Sequence, residues 1–387
     1  MTDTPKIEVE GLYKVFGRDP DAALSAYADG RQKAEIQKEM GAVIGVADAN
    51  FSVNEGEIFV VMGLSGSGKS TLVRLLNRLI EPTRGVVRID GEDIVSASDE
   101  RLREVRREKI AMVFQSFALM PHLTVVDNAA YGLKIAGVGK TERRKRATDA
   151  LEAVGLSANL HNYPDALSGG MRQRVGLARA LAVNPDIMLM DEAFSALDPL
   201  IRAEMQDELL RLQDEQRRTI VFISHDLDEA IRIGDRIAIM EGGRIVQIGT
   251  PEEIVSNPAN DYVASFFRNV DVSQVLTVGE VAQKSLVTVF ERPGVDVGAA
   301  LERLDEYGHH YGVIVDKGMR YRGVVFVDDL LQAKKEKRDL PSAMAKHIEP
   351  LSATTPLNDV MDRIAESSNS LPVVDEKGRY CGALSKT

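Results

Sequence analysis

The chain has 387 residues, with 48 Lys and Arg against 59 Asp and Glu, so its formal net charge at pH 7 is −11. This length predicts two or three domains, and the acidic balance argues against a nucleic-acid binder that works through a broad basic surface. The single cysteine, Cys381, fits a reducing cytosol, and no apolar run approaches the roughly 18 residues of a membrane span, which predicts a soluble chain.

The N-terminal region predicts strands on either side of an inserted segment. Residues 7–9 alternate as an edge strand would, and residues 12–16 offer an exposed aromatic side chain. Residues 19–40 are polar and rich in Ala, which we interpret as a helical excursion. Strand character resumes at 51–53.

Residues 63–71 fit the pattern G-x-x-x-x-G-K-[ST] and lie between an apolar run at 58–62 and a helical pattern at 71–79. Glycines let successive backbone N–H groups turn inward around a phosphate at a helix N-terminus. Lys69 can then reach the β- and γ-phosphates, and Ser70 can offer its hydroxyl to Mg²⁺. The residues that we expect to contact a nucleotide here are Gly63, Ser65, Gly66, Ser67, Gly68, Lys69, Ser70 and Thr71.

Three short apolar runs follow, at 110–114, 187–190 and 219–223, and helical patterns such as 201–213 separate them. Strands that alternate with helices predict a mostly parallel sheet covered on both faces. Residues 101–109 are dense in charges of both signs, which is typical of a solvated helix face.

Asp191 and Glu192 come directly after the apolar run at 187–190. This places two carboxylates at the carboxyl end of a strand, where open α/β sheets bind ligands. Asp191 can hold Mg²⁺ through its water shell, and Glu192 can orient an attacking water. A helix N-cap with a surface carboxylate is the alternative, but the upstream phosphate loop favours catalysis.

The segment Leu-Ser-Gly-Gly-Met-Arg-Gln-Arg at 167–174 would, taken alone, be a turn and an N-cap. Just upstream of the acidic pair, it resembles the signature of ATP-binding cassette (ABC) proteins. Gln115 then matches the Q-loop, residues 195–198 match the D-loop, and His225 matches the switch histidine. The resemblance covers roughly residues 7–267.

This resemblance implies an α/β fold of the P-loop NTPase class with a mostly parallel sheet and a helical subdomain at about 96–180. It implies binding of ATP and Mg²⁺ and hydrolysis of ATP. The expected catalytic residues are Lys69, Gln115, Glu192 and His225, and the expected metal ligands are Ser70, Gln115 and Asp191.

The resemblance also implies that the site is shared between two copies of the chain. Ser168 and Gly170 would reach ATP bound by the second copy, which makes the expected assembly a homodimer that encloses two ATP molecules. Gly169 and Asp198 belong to the same expected nucleotide contacts.

Phe16 aligns best with the aromatic residue that stacks on adenine in this family. Tyr13 is a rival because an excursion follows Phe16. An aromatic side chain that merely packs at a strand edge remains the alternative.

A closer resemblance is to the ATPase subunit of glycine betaine/proline betaine importers. The segments that carry it are 114–121, 181–186, 190–200 and the excursion at 19–40. It implies osmoregulatory uptake through an integral membrane permease, an indirect partnership with a substrate-binding protein, and a peripheral place at the cytoplasmic face of a bacterial inner membrane. The solute rests on resemblance alone, because quaternary amines favour Trp-rich aromatic cages and the chain has no Trp.

Two other classes compete with this interpretation. A soluble ABC-type ATPase acting on nucleic acid or ribosomes would carry two cassettes or a long coiled-coil insertion, and the sequence has neither. A P-loop kinase would not carry the Ser-Gly-Gly segment at 168–170.

From about residue 272 the pattern changes and repeats. The first repeat comprises 287–290, a helix at 297–307, 311–316 and 322–326; the second comprises 348–351, a helix at 357–366, 371–375 and 380–384. These repeats resemble a tandem cystathionine-β-synthase (CBS) pair. We therefore expect an ABC domain at 1–268 and a CBS domain at 272–387 whose second repeat is incomplete.

In CBS domains, a Thr or Ser and an Asp three residues later hold an adenosine ribose. The first repeat has Phe326 before Asp329, and the second has Ser385 but stops at Thr387, before the Asp. Both ribose sites are incomplete, so a regulatory or dimerising role is expected instead of adenine-nucleotide binding. One hypothesis is that the basic segment 334–338 senses ionic strength near an anionic leaflet.

His309, His310 and His347 fit no structural zinc pattern, since no paired cysteines accompany them. We interpret them as surface residues.

Overall fold

The computed structural model describes residues 5–267, 276–283, 288–290, 297–345, 348–367 and 369–385. The chain divides into two compact units, Met1–Val270 and Asp271–Thr387. The residues 272, 287, 347 and 387, which figure in the sequence predictions, lie outside the described residues.

The strands of the first unit are β1 (Pro5–Phe16), β2 (Val43–Asn54), β3 (Ile58–Met62), β4 (Arg84–Ile89), β5 (Glu92–Asp93), β6 (Ile110–Phe114), β7 (Ile187–Asp191), β8 (Thr219–Ser224), β9 (Arg236–Glu241) and β10 (Arg244–Gly249). The helices are α1 (Pro20–Ala28), α2 (Lys33–Met40), α3 (Lys69–Leu76), α4 (Asp99–Glu108), α5 (Val125–Ala129), α6 (Tyr131–Ile135), α7 (Lys140–Ala153), α8 (Gly169–Ala182), α9 (Pro199–Gln216), α10 (Leu227–Ile233), α11 (Pro251–Ser256) and α12 (Asp261–Phe266).

A six-stranded sheet in the order β10-β9-β3-β8-β7-β6 forms the centre of this unit. Every neighbouring pair is parallel except β9 with β10. Because side chains alternate along a strand, Val60 and Met190 pack under the helices α5 to α10, whereas Val61 and Leu189 pack against α3 and β1 on the other face. The predicted mostly parallel α/β sheet with both faces covered is confirmed.

A second sheet, antiparallel in the order β2-β1-β4-β5, packs on that other face. The prediction that residues 7–9 form an edge strand is wrong, because β1 pairs with both β2 and β4. Alternation in a sequence reports one buried face, as Ile7 and Val9 have, but it does not report how many strands lie beside it.

The inserted segment is two helices instead of one. Asp19 caps α1 by accepting a hydrogen bond from the Ala22 amide at 3.0 Å, and Pro20 begins the helix. The chain then breaks at Gly30, whose φ is +93°. Leu24 of α1 and Ile36 of α2 pack on β1 and β2 in a small core of their own.

Two helix boundaries also differ from prediction. Helix α3 ends at Leu76 and not at residue 79, since Arg78 takes a left-handed conformation with φ of +52°. The central helix α9 is longer than predicted and runs from Pro199 to Gln216, with Asp198 as its N-cap.

The second unit repeats one small arrangement twice. Its elements are α13 (Val278–Val281), β11 (Thr288–Phe290), α14 (Val297–Glu306), β12 (Tyr311–Val315), β13 (Tyr321–Phe326), α15 (Val327–Lys335), α16 (Leu340–Ala343), β14 (Leu351–Ser352), α17 (Met361–Glu366), β15 (Leu371–Val374) and β16 (Tyr380–Leu384). In each three-stranded sheet the first pair is parallel and the second antiparallel. The predicted internal repeat is therefore present in the fold.

Within the described ranges, no helix combines the length and the apolar character that crossing a membrane requires.

Candidate functional site

The loop between β3 and α3 is held so closely by its neighbours that glycine is required at two points. A Cβ on Gly63 would lie 2.3 Å from the Met240 carbonyl oxygen, and one on Gly68 would lie 2.3 Å from the Gly45 carbonyl oxygen. Both glycines also have positive φ, at +152° and +102°. The loop therefore has a fixed backbone path that ends at the N-terminus of α3, which is a favourable position for an anion.

Lys69 lies at the centre of this loop, with only 4% of its surface exposed. Its Nζ donates to the carbonyl oxygens of Gly63 at 2.7 Å and Leu64 at 3.1 Å. Burial lowers the pKa of Lys69, and the carboxylates of Glu192 and Asp191 act in the opposite direction. An anion bound in the loop would stabilise the charged amine.

Ser67 offers a second polar group to such an anion. Its Oγ is buried, and within the described residues it has no hydrogen-bond partner. A buried hydroxyl without a partner is costly, so a phosphate oxygen in the loop would satisfy it. The loop thus fits a phosphate by its backbone, its lysine and this hydroxyl.

Asp191 ends β7 directly below the first turn of α3. Its Oδ1 accepts a hydrogen bond from Ser70 Oγ at 2.8 Å, and its Oδ2 lies 3.2 Å from Nη2 of Arg74. Asp191 is only 6% exposed, so this pairing holds the carboxylate against the hydroxyl. A hydroxyl and a carboxylate are oxygen donors of the kind that Mg²⁺ prefers, which means that this pair fits that ion.

Glu192 follows in a left-handed conformation with φ of +47°, which costs about 1–3 kcal/mol for a residue other than glycine. This turn brings its carboxylate to two side chains from other elements. Gln115 Nε2 donates to Glu192 Oε2 at 3.3 Å, and His225 Nδ1 lies 3.6 Å from the same oxygen. The structure thus brings three of the four predicted catalytic residues together, on the loops that follow β6, β7 and β8.

Ser195, which the sequence did not mark as a catalytic residue, is hydrogen-bonded to Gln115 and to the Glu192 backbone. Gln115 also donates to Ser195 Oγ at 3.1 Å, and Ser195 Oγ donates to the Glu192 carbonyl oxygen at 3.0 Å. These bonds fix the turn on which Glu192 lies. Ser195 was noted only as the first residue of the D-loop resemblance.

A buried carboxylate, that of Glu229, holds the strand end that precedes His225. Ser224, the residue before His225, donates to Glu229 Oε2 at 2.6 Å, and Gln206 Nε2 donates to Glu229 Oε1 at 3.1 Å. Burial raises the pKa of Glu229. Glu229 and Arg74 belong to no motif. Arg74 lies one helical turn after Ser70 in α3, while Glu229 lies in α10, five residues after Ser224 of β8.

The Ser-Gly-Gly segment lies at the start of α8. Ser168 caps this helix by accepting a hydrogen bond from the Met171 amide at 3.3 Å, so Gly169 is already helical. Gly170 needs to be small, because a Cβ there would lie 2.6 Å from Ile201 Cγ2. In the part of the chain that the structure describes, Ser168 makes no hydrogen bond to the phosphate loop.

Asp198 is the N-cap of α9, since its Oδ1 accepts a hydrogen bond from the Ile201 amide at 3.1 Å. Ser168 and Asp198 are thus exposed at the N-termini of α8 and α9. Apart from Gly169 and Gly170 of α8, the other predicted nucleotide contacts lie in the phosphate loop or beside it. Within the described residues, no hydrogen bond joins Ser168, Gly170 or Asp198 to the phosphate loop.

The two aromatic candidates have different surroundings. Phe16 is 41% exposed and lies beside Gly45, where a Cβ would be 2.9 Å from its ring and 3.5 Å from the Thr71 methyl group. Tyr13 instead packs on the small core of the inserted helices, and burial raises its pKa. Phe16 is therefore a partly exposed ring next to the phosphate loop, with Lys14 Nζ 5.1 Å from its centroid, whereas Tyr13 packs on the inserted helices.

In the second unit, Phe326 ends β13 of the first repeat, at the position where a CBS domain is expected to hold a ribose. Its ring centroid lies 5.9 Å from that of Tyr311. Asp329 is exposed in the first turn of α15. No cluster of three or more His, Cys, Asp or Glu residues able to hold a metal ion occurs in the described ranges.

Known proteins match this chain in both of its units. The ABC transporter family model matches residues 46–195, and the CBS domain model matches residues 278–336 and 338–387. The glycine betaine/proline betaine transport system ATP-binding protein ProV of Salmonella typhimurium is 56% identical over 382 residues, which cover 98% of this chain and 96% of that protein.

Two further comparisons agree. The glycine betaine transport ATP-binding protein OpuAA of Bacillus subtilis is 51% identical over 381 residues, which cover 98% of this chain and 90% of that protein. Among solved structures, a dimeric bacterial ABC transporter cassette is 32% identical and superposes with a TM-score of 0.54, covering 63% of this chain and 98% of that one.

Proposed function

Because the chain belongs to the ABC transporter family, as an ATP-hydrolysing subunit of the glycine betaine/proline betaine branch, we propose that it drives uptake of a betaine-type osmolyte through a partner permease. One structural observation carries the chemistry. Gln115, Glu192 and His225 converge at the carboxyl ends of parallel strands, where Asp191 is already bonded to Ser70 of the phosphate loop.

ATP would bind with its phosphates in the loop at 63–71. The proposed phosphate contacts are Gly63, Ser65, Gly66, Ser67, Gly68, Lys69, Ser70 and Thr71. Lys69 would leave its loop carbonyls to neutralise the β- and γ-phosphates, which is the main task of the protein in phosphoryl transfer. Phe16 would stack on the adenine ring, as its exposure beside the phosphate loop allows.

Mg²⁺ would be held by Ser70, Asp191 and Gln115, and it would neutralise charge on the phosphate oxygens. The bond between Ser70 and Asp191 places both oxygens on the same side of the loop. Arg74 holds the second carboxylate oxygen of Asp191 and so fixes its orientation.

Glu192 would accept a hydrogen bond from the attacking water and align it with the γ-phosphate. Gln115 and His225 would complete the γ-phosphate pocket, since both already contact Glu192. A positioned general base of this kind contributes about 10²- to 10⁴-fold in rate.

We propose that the site is completed by a second copy of the chain. Ser168, Gly169, Gly170 and Asp198 lie at the N-termini of α8 and α9 and make no hydrogen bond to the phosphate loop within the described residues, so in a homodimer they would approach ATP bound by the partner. N-termini of helices stabilise negative charge, and α8 has 14 residues, which gives it a full set of aligned dipoles. The dimeric cassette among the structural relatives supports this arrangement.

The proposed domain layout is an ABC domain at 1–268, with a helical subdomain at about 96–180, and a tandem CBS domain at 272–387. The proposed location is the cytoplasmic face of a bacterial inner membrane, where the permease holds the chain. A substrate-binding protein would be an indirect partner, because quaternary amines are held best against Trp faces and this sequence has no Trp.

Co-purification tests this proposal. Tagged chain isolated from solubilised membranes should bring down a multi-span permease in a fixed ratio. Recovery with ribosomes or nucleic acid, and no permease, would instead indicate the soluble ABC-type ATPase class, which the relatives do not favour.

A further inference from the structure

The inserted helices α1 and α2 have no part in the mechanism above, yet one of their side chains reaches the region of the phosphate loop. Lys33, the first residue of α2, donates from Nζ to the carbonyl oxygen of Gly242. Gly242 and Gly243 form the turn between β9 and β10, and both have positive φ. The insertion therefore bonds to a turn that lies more than 200 positions away in sequence.

That turn is in direct backbone contact with the phosphate loop. The Gly243 amide donates to the Ser67 carbonyl oxygen at 2.8 Å, and the Gly243 carbonyl oxygen accepts from the Ala47 amide at 2.7 Å. A Cβ on Gly68 would lie 3.3 Å from Gly243 Cα. A displacement of the turn would thus displace the backbone on which Ser67 and Gly68 lie.

The strength of the hydrogen bond from Lys33 to Gly242 depends on whether the Lys33 amine is protonated. Lys33 Nζ lies 5.3 Å from the centroid of the Tyr27 ring, and Arg244 Cζ lies 5.6 Å from the same centroid. Burial lowers the pKa of Lys33 to about 8, and the charge of Arg244 acts in the same direction. Other charged or titratable groups lie on the elements around Lys33, among them Tyr13, Tyr27, Arg31, Asp48, Arg84 and Glu241.

We propose that Lys33 is a positioning residue for the phosphate loop, so that the inserted helices set the affinity for ATP by holding the Gly242-Gly243 turn against Ser67. This inference rests on the proposed function, because it requires that the loop bind ATP. The charged amine makes the stronger hydrogen bond to Gly242. ATP affinity should therefore fall as pH rises through about 8, where Lys33 loses its proton.

The test measures the Kd of full-length chain for ATP·Mg²⁺ between pH 7 and pH 9. Lys33→Met keeps most of the aliphatic side chain over Tyr27 but removes the donor, and it should raise Kd about three- to tenfold at pH 7, the scale of one net hydrogen bond. It should also flatten the pH profile. Lys33→Arg keeps charge and donors and should restore affinity at pH 7 without the loss near pH 8.

Two matched variants separate this inference from its premise. Lys38→Met alters an exposed lysine of the same helix and should leave Kd unchanged. Lys69→Ala should abolish binding; if it does not, the proposed phosphate site fails, whatever Lys33 does.

Two results would overturn the role of Lys33. One is a Lys33→Met variant with the wild-type Kd and the wild-type pH profile. The other is a Kd increase that Lys33→Arg does not correct and that accompanies a lowered melting temperature, which would make Lys33 a residue of fold stability only.

Discussion

The strand ends of the first unit and those of the second present a direct comparison. In the first unit, β7 ends in Asp191, and the next residue, Glu192, turns its carboxylate toward Gln115 and His225. In the second unit, β13 ends in Phe326, whose ring packs on Tyr311. Both positions lie between a strand and a helix, so topology offers a site in each. We expect the residue type at the strand end to decide whether that site binds a nucleotide.

The largest expected effect comes from the first unit. Glu192→Gln should keep ATP binding but slow hydrolysis by about 10²- to 10⁴-fold, because the amide cannot accept a proton from the attacking water. It should also trap an ATP-bound dimer. Phosphate release and gel filtration with ATP measure both effects, and Glu252→Gln, at an exposed acid of α11, is the control. Near-normal turnover would remove Glu192 from its role.

The second prediction tests whether the complete site needs two chains. Lys69→Ala and Ser168→Arg should each be inactive, but an equal mixture should recover up to about a quarter of the wild-type rate, because half of the dimers then hold one intact site of two. The mixture should lose activity on dilution. Lys69→Ala mixed with the Lys69→Ala/Ser168→Arg double variant is the control and should stay inactive. Without rescue, the shared-site arrangement fails.

A third prediction sharpens the assignment of the adenine contact. Phe16→Leu should weaken ATP binding by about 1–3 kcal/mol, the range for base stacking on an aromatic ring. Tyr13→Leu should leave Kd nearly unchanged and lower the melting temperature, because Tyr13 packs on the core of the inserted helices. Titration with ATP and thermal melts check both. A larger loss of affinity in the Tyr13 variant would reverse the assignment.

The smallest effect is expected in the second unit. Lys334, Lys335 and Lys337 are exposed near the end of α15, while Arg338 pairs with Glu336 at 2.7 Å. Each base could contribute about 1 kcal/mol to attraction toward an anionic leaflet, and salt screens this over about 8 Å. Neutralising all four bases should shift the salt threshold for ATP hydrolysis in the membrane-reconstituted transporter.

The rate at high salt should stay intact in that variant. Neutralising Lys317 and Lys377, exposed lysines of the same unit, serves as the control and should leave the threshold in place. An unchanged threshold in the four-base variant, or saturable AMP binding that Phe326→Ala removes, would count against this segment as a sensor of ionic strength.

The sequence predicted the local parts of the site well, because each rests on neighbouring residues. The strand at 58–62, the glycines of the phosphate loop and the acidic pair at the end of β7 all follow from local patterns. The convergence of Gln115, Glu192 and His225 was expected only through family resemblance, since it depends on three strand ends meeting.

The errors have the same physical origin. The central position of β1 depends on pairing with both β2 and β4, which no local alternation reports. Arg74 and Glu229 act through Asp191 and Ser224, and the contact of Arg74 joins residues 117 positions apart. The link from Lys33 to the Gly242-Gly243 turn was likewise invisible, because it requires the folded positions of α2, β9 and β10.

The most direct test of the central claim is transport itself. Proteoliposomes that hold the chain with its permease and binding protein should accumulate labelled glycine betaine only when ATP is present on the side of this chain. The Glu192→Gln chain should bind ATP there and yet support no accumulation. Uptake that continues with Glu192→Gln, or uptake that does not depend on ATP, would contradict the account of this chain as the ATP-hydrolysing subunit of a betaine importer.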